Sequence, residues 1–403
     1  MRNKIFWILT ILVLIGAEWV GSFYVLNLRG AWTALKKPTA DITGLVLENK
    51  TPLKLSSEFS LSIYASGLNG PRAMVRDSRR NILVSLPGEG KVVALIDKDL
   101  DGQAETIKTV IAGLRNPHGL AFSCLDNSTD KYPCKLYIAQ ENQVAVYEYD
   151  DSNSQALNGK KLTDLPVGGF HTTRSLLLIE DVLYVSVGSS CNACREEDAQ
   201  RASVLMVGLK TNKVRPFAKG LRNSVFLTVN PSDGKIWATD MGRDLLGDDL
   251  PPDEVNILEE GKNYGWPICY GQNIHDTDFD KNTYIRNPCQ APFETPSHID
   301  IPAHSAPLGL AFIPNEGWPQ DFQGDLLVAY HGSWNRSIPT GYKIVKYDLD
   351  KDGNVQGVKD FLTGFLNEQG DLYGRPVDMF AESSGVLFIS DDKAGVVYKI
   401  MSK

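Results

Sequence analysis

Gly220-Leu-Arg-Asn-Ser-Val-Phe-Leu-Thr-Val229, followed after a short polar turn by Gly234-Lys-Ile-Trp-Ala-Thr-Asp240, decides how the rest of the chain reads. A Gly-Leu opening leads through small residues into an apolar strand, then a turn, then a second apolar strand that ends on a small polar residue. The phrase recurs at Gly67 (GLNGPRAMV, then NILVS), Gly113 (GLRNPHGLAF, then KLYIA) and His171 (HTTRSLLL, then VLYVSVG). It returns at His304 (HSAPLGLAF, then GDLLVAY) and Arg375 (RPVDMF, then GVLFISDD). Repeats of about 40–50 residues with several short strands each are the mark of propeller blades. The chain therefore reads as an all-β, six-bladed β-propeller behind an N-terminal signal or anchor segment. The start of each repeat can aim side chains at the axial channel. Those starts carry His118, His171, Arg222, Asn223, His304 and Arg375.

Length alone would allow two or three domains in 403 residues. Repetition argues for one, because each blade buries its faces only against its neighbours. The net charge is −8 and no long basic run occurs, which excludes nucleic acid as a partner. Arg2 and Lys4 precede an apolar run from Ile5 to Ala17, and after Glu18 apolar residues continue from Trp19 to Leu28. Residues 5–28 read as an export signal or a retained anchor, and the length of the run with no A-x-A site leans to an anchor. The N-terminal positive charge puts that end inside and the body outside. Six cysteines fall into local pairs: Cys124 with Cys134, Cys191 with Cys194, and Cys269 with Cys289. Behind an export signal they read as disulfides, with buried free thiols as the alternative. Cys191-Asn-Ala-Cys194 is not followed by His, which rules out haem attachment there.

Three regions follow: 1–28 as signal or anchor, 29–50 as a linker without strong period, and 51–403 as the propeller. An irregular insertion over roughly 241–303 follows the fourth repeat, and a strand within 58–66 is expected to close the last blade. Asp97-Lys-Asp-Leu-Asp-Gly102 resembles half of an EF-hand loop, although Lys108 stands where the twelfth-position carboxylate would be. Asp348-Leu-Asp-Lys-Asp-Gly353 repeats the pattern. Both read first as acidic turns. Arg243 to Glu254 packs five carboxylates into one loop, either a solvated acidic loop or a Ca²⁺ site.

His171, Arg174, Arg222, Asn223 and Arg375 carry the most chemistry. A neutral His takes up a proton near pH 7. Arg and Asn donate hydrogen bonds to an oxyanion or a quinone oxygen, and a second Arg suits a carboxylate-bearing ligand. Their placement at equivalent repeat starts should make them converge on the axis.

At these residues the sequence resembles the pyrroloquinoline-quinone (PQQ)-dependent sugar dehydrogenases, the soluble glucose and sorbosone dehydrogenase family. The match is carried by Asp253-Glu-Val-Asn256 with Gly261-Lys-Asn-Tyr-Gly-Trp-Pro267, by Gly220-Leu-Arg-Asn223, and by His171-Thr-Thr-Arg174 leading to Leu183-Tyr-Val-Ser-Val-Gly188. His331-Gly-Ser-Trp-Asn-Arg336 and Gly374-Arg-Pro-Val-Asp378 with Ser390-Asp-Asp-Lys-Ala-Gly395 point to the sorbosone-type branch. The resemblance implies PQQ and Ca²⁺ bound at a propeller axis, and oxidation of a sugar by hydride transfer to PQQ. It makes His171 the general base, with Arg222 and Asn223 on the quinone oxygens and Arg375 on a carboxylate. The carbonyls of Gly242 and Arg243 fall where the family holds the cofactor's Ca²⁺. Glu254 and the carbonyl of Tyr264 fall where it holds a structural Ca²⁺.

The chain also departs from the family. Ser189 stands where the glucose enzymes place the Asp that orients the base, Val377 replaces a second Arg, and Arg243 replaces a Pro. A family Lys has no clear equivalent, and Arg336 or His331 could take its place. His118 lies near a family Gln at the border of the site. The expected activity is thus a periplasmic or otherwise extracytoplasmic sugar dehydrogenase, on an aldose or a sorbosone-like aldehyde. With no C-x-x-C-H motif, its electrons leave to a separate acceptor, a cytochrome or a quinone. Two other classes stay open: a propeller that only binds partners, and a Ca²⁺-dependent lactonase-type hydrolase. The hydrolase would need side-chain Glu, Asn and Asp at the channel centre, where the repeats offer His and Arg.

Overall fold

The Gly220 repeat folds into strands Leu227–Val229, Ile236–Asp240, Asp253–Leu258 and Ile299–Ile301, hydrogen-bonded in that order. The computed structural model describes residues 2–125, 130–211 and 213–403. Among these, each of the six repeats forms one antiparallel sheet of this kind. Blades 1 to 6 begin with strands Met74–Arg76, Leu120–Cys124, Leu176–Ile179, Leu227–Val229, Pro307–Phe312 and Pro376–Glu382. These first strands touch one another in sequence, and the sixth touches the first, so the ring is closed.

Second strands such as Ile82–Leu86, Ile236–Asp240 and Leu326–Tyr330 are buried at every residue. A blade lies between two others, so both faces of its inner strands are covered and the sequence runs apolar without alternation. Outer strands such as Gln155–Asp164 carry exposed charge instead. Six hydrophobic clusters fill the six blade interfaces. Each buried Leu, Ile or Val there contributes about 1.5–3 kcal/mol.

The polar residue that ends the second strand of several repeats is a tie. Ser85, Ser186 and Ser390 Oγ each accept an N–H at or just before the first strand of their own blade, from Ala73, Ser175 and Asp378, at 3.0 Å. Ser390 also donates to the carbonyl of Arg72 in blade 1, and Thr239 donates to that of Leu308 in blade 5, both at 2.7 Å. One hydroxyl thus satisfies backbone groups on two blades, which apolar packing could not do.

Strand Phe59–Ala65 pairs with Val396–Ser402 and completes blade 6, within the expected span. Lys54–Leu55 adds a fifth strand to blade 5. The insertion is shorter than 241–303 suggested. Asp253–Leu258 and Ile299–Ile301 are the third and fourth strands of blade 4, so the irregular parts are the 241–252 loop and the stretch between these two strands. Its Gly and Pro content hid two short buried strands. The stretch 29–50 is docked, not free. It forms helices Ala31–Leu35 and Ile42–Leu47, and Ile42 is buried in the cluster between blades 5 and 6. Ahead of it, helix Arg2–Asn27 is long and apolar enough to cross a membrane over Thr10–Asn27. All three cysteine pairs are disulfides as expected.

Candidate active site

The turn before blade 3 presents His171. Its Nδ1 lies 2.9 Å from Ser189 Oγ and 3.1 Å from the Ser189 carbonyl. The Ser189 hydroxyl donates to the Cys191 carbonyl at 2.8 Å, so its proton is committed and its oxygen accepts. Both contacts therefore call for a proton on Nδ1, and Nε2 is left with a free lone pair. Ser189 thus orients the imidazole in place of a carboxylate. Burial, and after it the charge of Arg222, hold the His171 pKa down at about 3, so the ring is neutral at physiological pH. Gly188 lets the site close up, since a Cβ there would lie 2.6 Å from His171 Cβ and 2.9 Å from Asn223 Oδ1.

Arg222 and Asn223 open blade 4. Asp240, on the neighbouring second strand, accepts both backbone N–H groups, from Arg222 at 3.0 Å and from Asn223 at 2.7 Å. The Arg222 guanidinium is almost fully buried and saturated. It donates to the Asn192 carbonyl (2.9 Å), Asn192 Oδ1 (2.8 Å), the Gly242 carbonyl (2.8 Å), the Met241 carbonyl (3.4 Å) and Asp244 Oδ2 (3.1 Å). Asn223 retains a free Oδ1, and its Nδ2 makes only a 3.4 Å contact to Met241 Sδ.

A second cationic group gathers where blades 5, 6 and 1 meet. Arg375 Nε donates to the His331 carbonyl at 2.9 Å, and its guanidinium lies over the Tyr342 ring. Asp391 accepts the Arg375 N–H at 2.9 Å, repeating the role of Asp240. Asp392 bridges Arg72 at 2.7 Å and His331 Nε2 at 2.9 Å. Burial pushes the Asp392 carboxyl up, but the facing His331, Arg72 and Arg375 hold it well below the usual range. Arg72, Arg375 and Lys393, beside a His331 that burial and then Arg375 keep neutral with a pKa of about 4, leave this end of the channel positive around the Asp392 bridge. Deeper in the ring, the first strands line a cavity of about 270 Å³ that includes Met74, Leu120, Phe226 and Met379.

Other expected site residues support these groups or stand on the rim. Arg174 gives its Nη donors to the carbonyls of Pro166, His171 and Thr173, so it shapes the His171 turn from beneath. His118 is buried, with Nε2 3.4 Å from Arg72 Nε and Nδ1 3.2 Å from Ser175 Oγ, which leaves neither nitrogen for a ligand. His304 bonds the Gly247 carbonyl at 2.8 Å. Arg336 stands on the rim, bound to Asp249 at 2.7 Å and to the Ala303 carbonyl at 3.3 Å.

Gly242, Arg243, Glu254 and Tyr264 line one small pocket with Asp240 and Asp276. Glu254 is buried with no basic partner, accepting only from the Gly271 N–H at 2.7 Å and from Asn256 Nδ2 at 2.9 Å. Burial pushes its pKa up to about 7. Arg243 turns its guanidinium to Asp276 at 2.8 Å. The five carboxylates of the 243–254 loop do not cluster, because Asp244, Asp248, Asp249 and Asp253 each bind a different group. Among the described residues, the side-chain clusters able to hold a metal are Asp97, Asp99, Asp101 with Glu105, and Cys191, Cys194 with Glu196. The first lies in an outer turn of blade 1 and the second contains a disulfide. Neither is the axial carboxylate set that a lactonase-type centre needs. In the 348–353 turn, Asp348 pairs with Lys346 and Lys359.

Residues 53–403 match the family model TrAA12-like. The chain belongs to the TrAA12-like family. An uncharacterized protein of Borreliella burgdorferi is 31% identical over 90% of this TrAA12-like chain and 94% of its own length. A pyrroloquinoline quinone-dependent pyranose dehydrogenase of Coprinopsis cinerea is 25% identical over 86% of the chain, which spans only 54% of that relative. A solved structure of Trichoderma reesei carbohydrate-active enzyme family AA12 superposes with a TM-score of 0.72 at 23% identity, covering 87% of this chain and 98% of that one.

Three residues of the TrAA12-like site were missed in the sequence. Arg72 stands at the blade-1 start, where the repeat alignment places His118 in blade 2, and that register was its signal. Asn192 lay hidden inside a cysteine pair read only as a disulfide. Lys393 lies in a quoted motif, but nothing in the motif showed that it packs near Arg375.

Proposed function

We propose that this chain is a PQQ-dependent sugar dehydrogenase whose base is His171. The observation that carries the reading is the Ser189–His171 pair, which leaves a neutral imidazole with a free Nε2, and Gly188, which lets His171 Cβ and Asn223 Oδ1 close on the same spot. The positive end of the channel fits a quinone that bears carboxylates. Arg375, Arg72 and Lys393 would hold its carboxylates and Asn223 Nδ2 a quinone oxygen, while Arg222, its donors spent on the protein, would contribute positive charge behind them. When bound, PQQ supplies a two-electron acceptor. His171 Nε2 takes the proton of the sugar hydroxyl, Asn223 orients the reacting groups, and the buried charge of Arg222 stabilises developing negative charge. His118 borders this site by positioning Arg72, and Arg336 by bracing the rim.

Ca²⁺ fits the pocket at Glu254. An unpaired buried carboxylate is costly, and a cation held by Glu254 with the Tyr264 carbonyl would neutralise it. The Gly242 and Arg243 carbonyls would serve a second ion beside the cofactor, with Gly242 using the lone pair that Arg222 leaves free. The substrate is a sugar oxidised outside the cytoplasm, in keeping with the disulfides and the N-terminal helix.

Titration of the full chain with PQQ and Ca²⁺ tests this, followed by dye reduction against a panel of aldoses. Saturable binding and sugar-dependent reduction are expected. His171→Ala should keep the binding and lose about 10²–10⁴-fold in turnover. Absence of binding at micromolar PQQ overturns the reading.

A further inference from the structure

The N-terminal segment is built into the rim of the site-bearing end. Asn27 Oδ1 accepts the Gly247 N–H at 3.3 Å, and Ser337 Oγ donates to the Val25 carbonyl at 3.2 Å. Gly30 packs so closely on Arg336 that a Cβ would lie 1.6 Å from its carbonyl oxygen. Lys393 Nζ donates to the Ala34 carbonyl at 3.1 Å, and the Thr39 N–H donates to the Leu372 carbonyl at 2.6 Å. The loops that receive these contacts join second to third strands in blades 4, 5 and 6, or lead into the first strand of blade 6. They therefore lie at the same end of the ring as His171, Arg222 and Arg375.

This part of the rim is apolar and exposed. Trp32 and Leu35 are each 72% exposed, Ile338 77%, Leu250 46%, Trp334 41% and Leu245 38%. They come from three separate chain segments, yet they surround the point where helix Arg2–Asn27 leaves the propeller. That helix is about 39 Å long at 1.5 Å per residue, against about 30 Å for a bilayer core. Its apolar residues are exposed from Ile11 to Leu26. Trp side chains bordering a span suit the membrane–water interface. The rim is also close to the chemistry: Trp334 Nε1 donates to Asp244 at 3.1 Å, and Asp244 accepts from Arg222 at 3.1 Å.

We propose that the rim of blades 4 and 5, with the segment around Trp32, rests on the bilayer from which the N-terminal helix emerges, and that the electron acceptor is a quinone dissolved in that bilayer. This rests on the dehydrogenase reading. The helix leaves at one side of the mouth, so the blade 1–3 side stays open to water and to the sugar. A face against lipid gives no approach to a folded soluble carrier there, whereas a lipid quinone reaches it from the membrane. The balance closes: a cyclic aldose loses two electrons and two protons to become the lactone, and the lipid quinone gains the same to become the quinol.

The test uses the full chain in phosphatidylethanolamine–phosphatidylglycerol vesicles containing a long-chain quinone. Ile338→Trp and Ile107→Trp, the latter at the opposite end of blade 1, report contact through quenching by brominated lipid. The Ile338 variant should gain a quenchable component and the Ile107 variant none. Equal behaviour of the two overturns the docking. The Leu35→Asp/Ile338→Asp double variant should keep soluble-dye reduction within about twofold and lose at least about tenfold in bilayer-quinone reduction, about 1.4 kcal/mol. Parallel loss of both activities, or loss of neither, overturns the assignment of the acceptor. If the parent reduces no dye with any sugar, the dehydrogenase reading fails, and the quenching pair alone decides the docking.

Discussion

His171, the base in the proposed reading, is oriented by a serine. A carboxylate in that position would favour the imidazolium; Ser189 fixes the tautomer without adding charge, and Arg222 opposes protonation further. Ser189→Ala removes one acceptor and leaves the Ser189 carbonyl at 3.1 Å. The expected loss in turnover is therefore about tenfold, well short of that for removing the base, and steady-state kinetics with imidazole nitrogen NMR would check it. The pH profile has a definite sign. The folded pKa of about 3 lies far below the reference value near 6.5. Protonating His171 thus favours unfolding, and its share of stability is full above pH 6.5 and is lost as pH falls towards 3. From pH 5 to 8 it gives turnover no acidic limb. Arg222→Ala, which removes the second cause, should raise the His171 pKa, read by NMR titration.

At the scale of the element, the loop Cys191–Cys194 links the two halves of the site. The Cys191 carbonyl takes the Ser189 proton, while Asn192 holds Arg222 through two oxygens and accepts the Asp244 N–H at 2.8 Å. A disulfide across so few residues restrains the unfolded chain little compared with the Cys269–Cys289 bridge, for which loop entropy suggests about 3 kcal/mol. Its role is local shape. The Cys191→Ser/Cys194→Ser variant should melt within a few degrees of the parent while losing about tenfold in turnover, measured by calorimetry and dye reduction. The closing strand is the opposite case. Phe59 is buried against Trp318, Phe322 and Phe361. Phe59→Ala should cost about 3–5 kcal/mol in denaturant unfolding.

For the whole molecule, buried acids bear on stability, and in the proposed reading so do bound ions. Asp378 is buried, with its pKa pushed up to about 7, and it accepts the N–H of Met74 across the closure of blades 6 and 1. A raised carboxylate pKa means that stability is full below about pH 4 and falls as pH rises through 7. Asp378→Asn should flatten the decline between pH 5 and 8 in thermal melts. Chelation of divalent cations should lower the melting temperature of the parent by more than it lowers that of Glu254→Gln, which has lost one of the two ion sites. The six repeats, the closing strand and the three disulfides were legible in the sequence, because strand periodicity, turn residues and cysteine spacing are local properties. The His171, Arg222, Asn223 and Arg375 positions were legible too, because repeat register puts equivalent residues at equivalent places on a ring. Register does not say what a side chain bonds to. That His118 and Arg174 are consumed inside the fold, that Arg222 is saturated, and that Arg72, Asn192 and Lys393 join the site depend on contacts between blades. The docking of residues 27–39 on the rim likewise pairs segments more than 200 residues apart, such as Asn27 with Gly247. Only tertiary packing decides such pairs, since neither partner carries a local pattern that names the other.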